Sequence, residues 1–106
     1  MKTFKLKDMK GGWFAGDFSP SVLRSREFEA ACKFYKKGDA ESPHVHKIAT
    51  EITLIARGHV RMNGVEYTAG DIVVLNPGEV SDFHALEDTV TMVVKSPSVI
   101  GDKYAR

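Results

Sequence analysis

Helix signals are what this sequence most lacks. No run repeats apolar residues at helical spacing for more than a turn, and SPSVLRSREF (Ser19–Phe28) has room for a single turn at most. Cysteine is nearly absent. Cys32 stands alone among 106 residues, so no disulfide can close within the chain and a thiolate metal cluster is excluded. A lone cysteine suits a reducing compartment, and a cytoplasmic location is the expectation. No apolar run approaches the roughly 20 residues of a membrane-spanning helix. The opening MKTFKLKDMK is charged but lacks the apolar segment of a secretory signal. Charge of one sign is missing as well, since 15 basic and 14 acidic residues leave +1. The one basic run, KFYKK (Lys33–Lys37), reads as a solvated strand end, so neither nucleic acid nor a membrane is an expected partner. Nucleotide-binding glycine patterns and a serine in a nucleophile-elbow setting are also absent.

What is present is a succession of short extended segments. In EFEAACKFYKK, residues Phe28, Ala30, Cys32 and Phe34 fall on one apolar face, which makes Cys32 a small buried residue. EITLIA (Glu51–Ala56) is apolar on both faces, as in a strand packed on two sides. Asn63-Gly64 between extended runs marks a tight hairpin. Gly70-Asp71 and Pro77-Gly78 bracket the apolar strand IVVL, with Asp71 expected to brace its own turn. Val90, Met92 and Val94 alternate with their neighbours until Pro97. Strands this short, with turn signals this frequent, predict an all-β sandwich or barrel of one domain over residues 1–106. The barrel core is placed at 27–97, with 1–26 as an extension packing on the barrel or on a partner. Trp13, Phe14 and Phe18, set among glycines, are expected to cap the open end of a barrel or to meet another subunit, in preference to lining a ligand mouth.

The chemistry concentrates in GDAESPHVHKIATEITLIARG (Gly38–Gly58). His44 and His46 share a face if the segment is extended. Glu51 follows after room for a short turn and can return a carboxylate to the same place. Two imidazoles and a carboxylate suit Fe(II), and also Mn, Ni or Zn, with coordination positions left open. The blander account is a surface histidine pair.

The frame around these residues resembles the cupin superfamily. Gly38, His44, His46, Glu51 and Gly58 fit its first motif, Gly-x5-His-x-His-x4-Glu-x6-Gly, at every defined position. Gly70 and Gly78 match its second motif, Gly-x5-Pro-x-Gly-x2-His-x3-Asn, but Asn76 stands in place of the proline and Ser81 in place of the histidine. The resemblance spans roughly Phe28 to Pro97. It implies a double-stranded β-helix, a jelly-roll barrel of two packed antiparallel sheets, often dimeric, with a divalent metal held inside by His44, His46 and Glu51. An alignment with three inserted residues would make His84 a ligand and Asp88 the asparagine's substitute. The ungapped reading is preferred, because the insertion shortens the final strand and His84 alternates onto the face opposite Ser81.

The resemblance implies a metal-dependent enzyme on a small polar molecule, of oxygenase or isomerase/epimerase type. Tyr35, Lys36 and Arg61 are acid–base candidates that nothing in the sequence ranks. The alternatives are a non-catalytic small-ligand-binding cupin with weak or no metal, and an assembly protein whose apolar EITLIA strand and aromatic N-terminal stretch serve a homodimer. His59 reads as an exposed residue at a strand start.

Overall fold

The alternating segments become ten strands in the computed structural model, which describes residues 1–106. They are β1 (Trp13–Ala15), β2 (Glu29–Tyr35), β3 (Ala40–Val45), β4 (Thr50–Arg57), β5 (His59–Met62), β6 (Val65–Thr68), β7 (Ile72–Leu75), β8 (Val80–Ala85), β9 (Thr89–Ser96) and β10 (Tyr104–Ala105). A single 3₁₀ turn, Leu6–Asp8, is the only helical element. The strands form two five-stranded sheets, in the orders β1-β2-β9-β4-β7 and β10-β3-β8-β5-β6. Every pairing is antiparallel.

Turn chemistry fixes the registers. Asn63 (φ 51°) and Gly64 (φ 79°) both take the positive φ that a two-residue hairpin needs, and join β5 to β6. The Asp71 carboxylate accepts the Thr68 N–H at 2.8 Å and braces its turn. At Gly58 (φ 108°) the constraint is also spatial: a Cβ there would sit 2.3 Å from Thr89 Oγ1 and 2.6 Å from the Asp88 carbonyl oxygen.

Inward-facing side chains grade from polar to apolar along the barrel. Glu51, Thr53 and Ile55 succeed one another inside β4, and Ser81, Phe83 and Ala85 inside β8. The apolar end holds the core: Ile55, Val60, Met62, Leu75, Phe83 and Ala85, with Tyr35, Tyr67 and Val73 against them. The polar end encloses a cavity.

Two expectations about faces are corrected. On β2 the inward residues are Ala31, Lys33 and Tyr35, while Cys32 is half-buried and Phe34 is 67% exposed. The apolar face of that strand is the outer one, because a polar cavity occupies the inside. Strand β4 is likewise not packed on two sides within the chain. Ile52 and Leu54 face outward in register with Val94 and Met92 of β9 and with Val74 and Ile72 of β7. Those outer rows meet solvent, Ile72 at 62% and Val74 at 50% exposure.

Alanine at Gly58 should cost about 3 kcal/mol, combining unfavourable φ with overpacking. Alanine at Gly64, where nothing lies within 4 Å of the added Cβ, should cost about 1 kcal/mol. Urea denaturation of the two variants checks this, and equal losses would show that the Thr89 contact does not matter.

Candidate metal centre

A β-bulge builds the site. The β3–β8 register runs Glu41↔Phe83 and then His44↔Ser81, so β3 spends three residues where β8 spends two. The extra residue falls at Ser42-Pro43, where a proline is tolerated because the ladder is already interrupted. The bulge brings Glu41, His44 and His46 onto one face, although Glu41 and His44 would otherwise alternate. Both histidines are buried, at 8% and 4% exposure, with ring centroids 5.3 Å apart in a T-shaped arrangement.

Backbone carbonyls set the tautomers. His44 Nδ1 lies 3.1 Å from the Ser42 carbonyl oxygen, and His46 Nδ1 is hydrogen-bonded to the Asp102 carbonyl oxygen. A carbonyl only accepts, so each Nδ1 carries the proton and each neutral ring keeps its lone pair on Nε2. Asp102 does more than this. Its buried carboxylate accepts the N–H groups of Lys47, Ile48 and Ala49, the whole turn between β3 and β4. Burial pushes the Asp102 pKa up, but these three hydrogen bonds together hold it below the ordinary value.

His46 Nε2 faces Glu51 Oε1 at 3.4 Å, yet it is buried without a hydrogen-bond partner. A protonated ring would turn an N–H toward this carboxylate, whereas the neutral ring sets a lone pair against it. The Glu51 carboxylate raises the His46 pKa against the opposing effect of burial. For Glu51, burial acts upward, and His46 followed by the Lys95 charge outweighs it, leaving the carboxyl below its usual range. By kind, this donor set suits a divalent cation: two Nε2 lone pairs, one of them orphaned, and one carboxylate. No three His, Cys, Asp or Glu side chains gather tightly around one point as they stand.

These residues wall a cavity of about 340 Å³, within the range of small-metabolite sites. Ser81 is 2% exposed, stands opposite His44 on β8 and lines the cavity, whereas His84 pairs with Ala40 and lies on the other face. Trp13 and Phe18 also line the cavity, so these two aromatics of the N-terminal stretch stand at its wall. Lys33, expected at a solvated strand end, points into it as well. Of the acid–base candidates, only Tyr35 reaches the cavity. Its hydroxyl donates to Glu41 Oε1 at 3.0 Å, and burial, then Glu41, raises its pKa far above the ordinary value. Lys36 and Arg61 are outside and exposed. His59 is half-buried and pairs with Glu66 at 2.8 Å.

Asp102, Glu41 and Lys95 were not singled out in the sequence. Asp102 follows a glycine near the end of the chain and announces nothing locally. Removing its carboxylate leaves three N–H groups without their acceptor, that of Ala49 buried and those of Lys47 and Ile48 part-buried, so Asp102→Ala should cost about 2 kcal/mol. Amide hydrogen exchange at Lys47–Ala49 should accelerate with it. Unchanged protection there would refute the clamp.

No protein-family model matches the sequence, and no curated protein matches it either. Solved structures do match. A protein with a double-stranded β-helix domain from Klebsiella pneumoniae superposes with TM-score 0.72 at 20% identity, over 98% of this chain and 91% of that one. An RmlC-like cupin from Shewanella frigidimarina gives TM-score 0.66 at 22% identity, over 71% and 70%. The DMSP lyase DddQ from Ruegeria pomeroyi gives TM-score 0.66 at 19% identity, over 77% and 44%. Identities this low speak for architecture alone, and the architecture is common to all three: this chain folds as a cupin-type double-stranded β-helix.

Proposed function

We propose that the cavity is a metal centre, with His44, His46 and Glu51 as ligands, in an enzyme that acts on a small polar molecule. One observation supports this most: a buried histidine whose Nδ1 is pinned to a carbonyl and whose Nε2 makes no hydrogen bond and faces only the Glu51 carboxylate, at 3.4 Å. An orphaned buried nitrogen is costly unless something binds it. A divalent ion there supplies Lewis-acid chemistry, polarising a substrate oxygen. The chain supplies the rest. Asp102 orients His46, as a carbonyl behind a ligating imidazole does in known metal sites. Tyr35 and Glu41 hold a proton between them at the cavity wall. Phe83 and Met62 close the inner side against water. Isomerase/epimerase or oxygenase chemistry fits this set, and a DMSP lyase of similar fold is consistent with an enzyme. A metal-free binding cupin is the competing reading; a ligand-induced melting shift that survives chelation would favour it.

A cytoplasmic location and a homodimer belong to the same reading. The outer rows of Met92, Leu54 and Ile72 and of Val94, Ile52 and Val74, with Phe34 beside them, cross three to four strands. At ordinary strand spacing that is a contiguous patch of about a few hundred Å², the size of the largest apolar patch a monomer leaves to water, and such patches are often functional. It can form the apolar centre of an interface of about 800 Å² per partner, and a second copy of the same flat face is its complement.

Elemental mass spectrometry on protein prepared without a tag or chelator should find near one equivalent of Fe, Mn, Ni or Zn per chain. His46→Ala should reduce it at least tenfold. A wild type that takes up no metal on titration would end the metal reading. Light scattering should give a dimer for the wild type and a monomer for Ile72→Glu/Val74→Glu; a monomeric wild type would end the dimer reading.

A further inference from the structure

The carboxylates in the cavity wall are answered from within the protein, but not all of its lysines are. Glu41 takes the Tyr35 hydroxyl at 3.0 Å and the Lys33 ammonium at 3.8 Å. Glu29 takes the Ser98 hydroxyl at 3.2 Å. Glu51 faces His46, and Asp102 is saturated by backbone N–H groups. Lys95 is different. It lies inside β9, between Glu29 of β2 and Glu51 of β4 in the register, yet it makes no ion pair and donates no hydrogen bond. Its ammonium sits 4.9 Å from the centre of the Trp13 ring, with Lys33 at 5.4 Å from the same ring. An indole face stabilises a cation but offers it no oxygen acceptor. Lys10 and Lys103 also line the cavity without ion-pair partners, which adds positive potential along its wall.

We propose that Lys95, backed by Trp13, is the anchor for a carboxylate, so that the cavity takes a small organic acid whose other end reaches His44, His46 and Glu51. The proposal rests on reading this cavity as a small-molecule site, not on the presence of metal. At the Trp13 face the free ammonium is that of Lys95, flanked in register by Glu29 and Glu51, so a single carboxylate beside it meets less repulsion from those glutamates than a doubly charged phosphate would. The volume of about 340 Å³ fits a metabolite-sized acid.

Trp13 is the only tryptophan in the chain, so its emission reports on this site directly. Acetate, pyruvate and succinate would be titrated against acetamide, succinamide and inorganic phosphate, with calorimetry alongside, on both metal-stripped and metal-loaded protein. At least one carboxylate should give a saturable response that its amide does not. Lys95→Met should weaken it about tenfold or more, and Lys95→Arg should retain it, which separates loss of charge from misfolding. The assignment fails if Lys95→Met binds like the wild type, if amides bind as well as acids, if no carboxylate saturates, or if phosphate binds more tightly than the acids. His46→Ala separates the two readings. Carboxylate binding that persists there without metal supports the Lys95 anchor and removes the metal requirement. Binding lost in His46→Ala but intact in Lys95→Met assigns the acid to the metal centre and overturns the anchor.

Discussion

The site depends on the grip of Asp102 on the turn between β3 and β4. Its carboxylate gathers three backbone N–H groups and its carbonyl takes the proton-bearing nitrogen of His46. Without that grip the turn would carry unpaired donors in a buried place, and the His46 ring would be free to flip. One residue therefore fixes both the turn that follows the histidines and the nitrogen that His46 presents. The short strand β10 follows at once, and pairs Tyr104 and Ala105 with Val45 and His44. The same segment that orients the imidazole thus ties down the strand beneath it.

Around that grip the barrel divides its labour along its length. One end is filled by aliphatic and aromatic side chains and supplies the cohesion. The other holds histidines, carboxylates and lysines facing one another across a hollow, where most of the carboxylates are met by a neighbour and Lys95 is not. The bulge at Ser42-Pro43 lets a single strand deliver three functional side chains to one side. With regular pairing, Glu41 would face the solvent, and Tyr35 would lose its acceptor.

Much of this was legible in the residues. The alternating runs, the Asn63-Gly64 turn and the Gly-to-Gly frame around His44, His46 and Glu51 all point to an all-β barrel of the cupin type, which is the observed architecture. Strand alternation also set Ser81 and His84 on opposite faces of β8, as they are found. What the sequence hid was which face of β2 turns inward. Apolar Cys32 and Phe34 lie outside while Lys33 and Tyr35 lie inside, because a polar cavity inverts the usual sense of burial. The bulge was hidden too, since it is a property of pairing and not of one strand. Asp102 was invisible because its partners lie more than fifty positions away along the chain. Lys95 carries no signal in the sequence, and only its neighbours in register place it between Glu29 and Glu51.

The distance between Asp102 and the turn it grips also orders events in time. During synthesis, β3 and β4 leave the ribosome long before residue 102 exists. Until then the Lys47–Ala49 amides must be solvated, and His46 has no carbonyl to settle its ring. Sheet pairing has the same character, since β2 waits for β9 and β3 waits for β8. Such long-range pairings slow folding. The pocket is thus among the last parts of the molecule to mature, since its imidazole is settled only once Asp102 has reached the turn between β3 and β4.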